Sequence, residues 1–114
     1  MLGTYVLSEG YFDAYFTKAQ KVRRLIKEKM DQILEEVDFI ILPTSTSLPW
    51  HIGELSDDPV VVYLSDVFTV LANLTGLPAL SVPVGTNSDG IPLGIQLITK
   101  KYSENELLSL AKCL

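Results

Sequence analysis

The chain has 114 residues, a length that fits one domain and lets roughly 65% of the unfolded surface be buried. A net charge of −5 makes the whole chain a poor nucleic-acid binder by bulk electrostatics, and the single Cys113 excludes an intramolecular disulfide and fits a reducing compartment, with cytoplasm the default. Hydrophobic residues make up 47% and mean hydropathy is +0.27, yet no apolar run approaches the roughly 20 residues of a membrane span, so the excess implies surface that something else covers.

A short helix is predicted over about 2–9, in a start that lacks the basic residues of a secretory signal, with a break at Gly10. Phe12, Tyr15, Phe16, Ala19, Val22, Ile26, Met30, Ile33, Leu34 and Val37 then recur at helical spacing, which predicts one long amphipathic helix over 11–37. Lys18, Lys21, Arg23, Arg24, Lys27 and Lys29 put six of the nine cations within twelve residues of it. Such a cluster is a solvated face, or a contact for an acidic partner or RNA phosphates.

Phe39-Ile-Ile-Leu42 is a continuous apolar run ending at Pro43, the pattern of a strand buried on both faces in a parallel or mixed sheet. A turn-rich loop follows to Asp58 and holds Thr44, Ser45, Thr46, Ser47, Trp50 and His51. Asp58-Pro59 starts a helix, with Asp as N-cap and Pro in the first turn, and Gly76 closes it after about Thr75. Asp66, Thr69 and Asn73 share one stripe of that helix and suggest a site wall. Two alternating segments follow, Leu80/Val82/Val84 and Leu93/Ile95/Leu97, joined by the turn Asn87-Ser-Asp-Gly90. Pro83 cannot donate to a ladder, so its strand is expected at an edge or bulged, and Gly85 and Gly94 fit a close backbone approach. Ser103 and Glu106 predict a capping box on a last helix of barely three turns.

Asp66 is the least expected residue in this frame. From Asp31 to Thr99 there is no Lys or Arg, but there are nine carboxylates: Asp31, Glu35, Glu36, Asp38, Glu54, Asp57, Asp58, Asp66 and Asp89. Eight sit beside turns or at element ends. Asp66 falls inside an apolar helix, where an unpaired charge entering a core costs several kcal/mol, on the order of its lost solvation. Either it faces water or is structurally hydrogen-bonded, or a ligand ammonium or the basic helix compensates it. The residues alone leave these open.

The chain assembles no complete active site. His51 stands alone in a Trp-His-Ile-Gly loop, Cys113 lies at the end of the chain, and the hydroxyls of 44–47 have no neighbouring base. No Cys/His spacing suits zinc and no glycine-rich loop suits a phosphate.

The ordered set of segments is more specific than any one residue. The start Met1-Leu-Gly-Thr-Tyr-Val-Leu through Arg23, Asp38-Phe-Ile-Ile-Leu-Pro-Thr44, Tyr63-Leu-Ser-Asp-Val-Phe-Thr-Val70, Ala72-Asn-Leu-Thr-Gly-Leu-Pro-Ala-Leu-Ser-Val-Pro83 and Gly90-Ile-Pro-Leu-Gly-Ile-Gln-Leu97 resemble the C-terminal part of the amidase signature family. Within it the likeness is to the A-subunit of the glutamyl-tRNA(Gln)/aspartyl-tRNA(Asn) amidotransferases, and it covers essentially the whole chain as a single partial domain, 1–114. The resemblance implies an α/β fold with helices packed on a few strands of a mixed sheet. It also implies a glutaminase that feeds ammonia to the B-subunit, which amidates an ATP-activated misacylated tRNA. ATP and Mg²⁺ are then expected in the partner subunit and no cofactor in this chain. Subunits B and C and the N-terminal portion of the same subunit are the expected partners, with tRNA met through the complex and no membrane.

The family's Ser–cis-Ser–Lys triad and Gly/Ser-rich signature have no counterpart in these residues, so the chain alone is expected to be inactive toward glutamine. Asp66 matches the family position that holds the glutamine α-ammonium, and Thr69 and Asn73 are weaker pocket candidates. The family's Arg for the α-carboxylate would fall just upstream of Met1, and Met1 matches an internal residue, so the start is expected to be a fragment boundary. Two other readings stay open: a general amidase fragment without a tRNA role, and a standalone interaction module using the basic helix 11–37.

Overall fold

A computed structural model describes residues 15–54 and 58–114. The helix expected over 2–9, the break at Gly10 and the first residues of the long helix lie outside the described residues. In chain order the elements are α1 (Thr17–Glu36), β1 (Phe39–Pro43), α2 (Pro59–Ser65), α3 (Val67–Thr75), β2 (Ala79–Thr86), β3 (Pro92–Thr99) and α4 (Glu104–Ala111). The α/β class read from the sequence is the one that forms.

The strands make one sheet in the order β1-β3-β2. The central strand is fully buried over its second half, Gln96 to Thr99, and its alternation serves both faces. Ile98 joins Met30 and Leu34 of α1, Ala72 of α3 and Leu77 in one core, with Ile40 and Leu42 of β1 packed against it. Leu97 joins Val82 of β2 and Leu107 of α4 in the other, with Phe39, Leu80 and Ile95 alongside. Leu97 and Ile98 are both 0% exposed. Burying a Leu or Ile side chain fully stabilises by about 1.5–3 kcal/mol, so these adjacent residues bolt helices to opposite sides of the sheet.

Local signals account for several boundaries. Asp58 accepts the Val60 N–H at 2.8 Å with Pro59 in the first turn, and Gly76 takes the left-handed conformation (φ 67°) that closes α3. Asn87 Oδ1 accepts the N–H groups of Asp89 and Ile91, both at 2.9 Å, which closes the turn between β2 and β3. Pro83 lies on an edge strand, and the register shifts between Pro83 and Gly85. Gly94 is a true close approach: a Cβ there would lie 3.1 Å from Thr44 Oγ1 and 3.4 Å from Ser81 Oγ. Gly85 has open space around it, so the approach expected there is not made.

Three expectations are corrected. β1 is an antiparallel edge strand, with Phe39 opposite Thr99 and Pro43 opposite Ile95, not a strand buried on both faces. Ile41 is 55% exposed, and no parallel pairing occurs among the described residues. The helix predicted from Asp58 to about Thr75 is two helices with a break at Asp66. Ser103 starts α4 but makes no capping hydrogen bond, since its backbone (φ −106°, ψ 30°) lacks the extended form a capping side chain needs.

Apolar surface left over from this packing is extensive: Tyr63 is 72% exposed and Leu25 65%. The radius of gyration is 17.2 Å, against about 13 Å for a compact chain of this length. No helix among the described residues is long and apolar enough to cross a membrane.

Candidate functional site

Asp66 is exposed, and its backbone (φ −100°, ψ 0°) ends α2 and begins α3. Its N–H reaches back to the Tyr63 carbonyl at 3.3 Å, a tight closing turn. Its own carbonyl accepts the N–H groups of Thr69 and Val70, each at 3.1 Å, and the Thr69 hydroxyl at 3.0 Å, which starts the new helix. The carboxylate makes no capping bond to that helix. It therefore stands free beside the positive end of the α3 dipole, a position worth about 0.3–1 kcal/mol to an exposed anion. The break also answers the desolvation problem, because the charge never enters the core.

The basic helix does not neutralise it. Arg24 pairs with Glu28 at 2.7 Å, and that hydrogen bond first and the charge second raise the guanidinium pKa above its usual value. Lys27 pairs with Asp31, Lys29 donates to Gln32 at 3.4 Å, and Arg23 donates from Nε to the Leu74 carbonyl at 2.7 Å, joining α1 to the end of α3. Among the described residues no cation lies within ion-pair distance of Asp66.

Asp66 and Thr69 line a cavity of about 390 Å³ between the α2–α3 break and the loop after β1. The loop contributes the hydroxyls of Thr44, Ser45 and Ser47 and the indole of Trp50. Asp66 is the only charged side chain among the described lining residues. On its other side lies an apolar cavity of about 340 Å³ between α1 and the two helices, walled by Ile26, Tyr63, Val67 and Val70. Asn73 is not brought to either. It lines a third cavity with Gly76, Lys101, Tyr102 and Glu104, at the far end of α3 and about 10 Å along the axis from Asp66.

Chemically this arrangement can hold a cation. A carboxylate, several hydroxyls and an aromatic wall suit an ammonium group, which donates charge-assisted hydrogen bonds. It offers no His or Lys to activate a nucleophile among the described lining residues. His51 is exposed in its turn, its carbonyl taking the Glu54 N–H at 2.9 Å, and Cys113 is exposed near the end of the chain. No cluster of His, Cys, Asp and Glu suited to a metal ion occurs among the described residues. Sequence reasoning finds no base beside the 44–47 hydroxyls and assigns no role to Trp50. Their position after the end of β1 is the available signal, but the wall they face is brought there only by tertiary packing.

Residues 1–108 match the Amidase family, and the chain belongs to that family. A more specific likeness is to the A-subunit of glutamyl-tRNA(Gln) amidotransferase from Pelagibacter ubique (strain HTCC1062), 52% identical over 111 residues, which are 97% of this chain and 23% of that protein. The crystal structure of the glutamyl-tRNA(Gln) amidotransferase A-subunit from Thermotoga maritima is 44% identical with a TM-score of 0.78, over 93% of this chain and 23% of that one. A Kluyveromyces lactis allophanate hydrolase is 35% identical with a TM-score of 0.75, over 96% and 17%. The chain thus spans about a quarter or less of the length of these relatives.

Proposed function

We propose that this chain is the C-terminal part of the amidase domain in the A-subunit of a tRNA-dependent amidotransferase, and that it supplies one wall of the glutamine pocket. In that assembly ammonia from glutamine serves to amidate misacylated Glu-tRNA(Gln) or Asp-tRNA(Asn). Subunits B and C and the N-terminal portion of the same subunit are the partners, ATP and Mg²⁺ belong to the partner subunit, and the setting is cytoplasmic. The observation that carries this reading is Asp66, an exposed carboxylate on a cavity of hydroxyls and an indole with no protein cation in reach among the described residues. A free amino acid brings the missing cation as its α-ammonium. Thr69 borders the same cavity, whereas Asn73 contributes only where the complete pocket extends around α3.

The chain alone is inactive in this reading, because the hydroxyls of its cavity have no partner base and the triad belongs to the rest of the subunit. Its flat shape and exposed apolar side chains support a part that is covered by that remainder. A general amidase without a tRNA role would use the same wall, but an anionic rim favours a substrate with a free ammonium over a neutral aryl or lipid amide.

The test compares glutamine with its deaminated analogue, 5-amino-5-oxopentanoate, as substrates of the protein reconstituted from this chain and its remainder. Asp66→Asn should lower kcat/KM for glutamine by about 10–100-fold and leave the analogue unchanged. Equal losses on both substrates, or none on either, would remove Asp66 from ammonium recognition.

A further inference from the structure

One cause of the α2–α3 break is local: Ser65 Oγ donates to the Val62 carbonyl at 2.6 Å, the acceptor that the Asp66 N–H would use in an uninterrupted helix. Tyr63 to Asn73 contains neither Gly nor Pro, and the apolar pattern runs straight through it. In an uninterrupted helix the Thr69 N–H would bond the Ser65 carbonyl and the Phe68 N–H the Leu64 carbonyl. Here the Thr69 N–H bonds Asp66 instead. The two carbonyls at the end of α2 are taken from outside: Thr46 Oγ1 donates to Leu64 O at 3.1 Å and Ser45 Oγ to Ser65 O at 3.4 Å. The donors are rooted in the sheet. Thr44 donates its N–H to the Gly94 carbonyl at 3.2 Å and shares a hydroxyl bond with Ser81 at 3.0 Å. Ser45 Oγ also accepts the Ser47 N–H at 3.4 Å, which keeps the loop curled over the break.

We infer that Ser45 and Thr46 are positioning residues: their hydroxyls compete with the helix's own N–H groups for the Leu64 and Ser65 carbonyls and so hold open the break that presents Asp66. Side-chain donors offered to a helix carbonyl stabilise alternatives to the regular ladder. The strap of 44–47 therefore builds one wall of the cavity and fixes the opposite one. The link from the strap to substrate rests on the proposed ammonium role of Asp66. The link from the strap to the break does not.

The test has two readouts. Backbone chemical shifts across 62–70 in the full chain report whether α2 and α3 are separate or fused, and KM and kcat for glutamine are measured on the reconstituted protein. A Ser45→Ala/Thr46→Val double variant should show continuous helical shifts through Asp66 and a KM raised about tenfold with kcat nearly unchanged. The hydroxyl-keeping pair Ser45→Thr/Thr46→Ser should restore both. The single variants Ser45→Ala and Thr46→Val give intermediate shifts and keep the test available where the double variant does not fold. An unaltered break in the double variant would overturn the inference. Fusion of the helices with an unchanged KM would support the strap and overturn the ammonium role of Asp66.

Discussion

The Gln96 side chain donates from Nε2 to the Phe68 carbonyl at 3.2 Å, joining the central strand to α3 two residues past Asp66. Gln96 is buried at 5% exposure, so its amide depends on protein partners where it cannot reach water. Gln96→Ala should therefore lower stability by about 1–3 kcal/mol, through the lost bond and the space left behind. Urea unfolding should show a lower midpoint with an unchanged slope. An unmoved midpoint would mean that α3 is held to the sheet by apolar packing alone.

At Gly94 the sheet and the loop after β1 come close enough to crowd a methyl group, with Thr44 Oγ1 3.1 Å from the site of a Cβ. Gly94→Ala should cost about 1–3 kcal/mol as an overpacked contact. Adding Thr44→Ala removes the opposing atom, so the double variant should lose less than the two single variants combined, with a coupling of about 0.5–3 kcal/mol. Simple additivity in denaturation would contradict the contact.

What was legible in the sequence was what is decided locally. Asp58-Pro59, Gly76, Asn87 and Pro83 each act through their own backbone or a neighbour two to four residues away, and each does in the fold what its chemistry predicts. The break at Asp66 was not legible, because Ser65 acts on the Val62 carbonyl three residues back but the other two hydroxyls lie 18 and 20 residues before the carbonyls they bond. β1 was misread for a related reason. An apolar run suggests that a strand is covered, but Ile41 is left 55% exposed, and the direction of pairing leaves no mark on composition. The Asp66 carboxylate stood out because charge without a partner is visible in one dimension. The cavity beside it was not, since its two walls are far apart in sequence.

The cores on the two faces of the sheet are small, so single truncations should be felt strongly. Leu34→Ala, at 2% exposure in the α1 side of the core, should cost about 2–5 kcal/mol, a large share of the roughly 5–15 kcal/mol of an ordinary domain. Glu28→Gln, which breaks only the exposed pair with Arg24, should leave the thermal midpoint nearly unchanged. A comparable loss from both would mean that α1 is held by its charges rather than by its apolar face.

The most direct measurement is ammonia release from glutamine by the purified chain, alone and after co-folding with the N-terminal remainder of an amidotransferase A-subunit, each with and without Asp66→Ala. The account predicts silence from the chain alone, activity on mixing, and loss of that activity with Asp66→Ala. Activity from the chain alone, or recovered activity indifferent to Asp66, would contradict it.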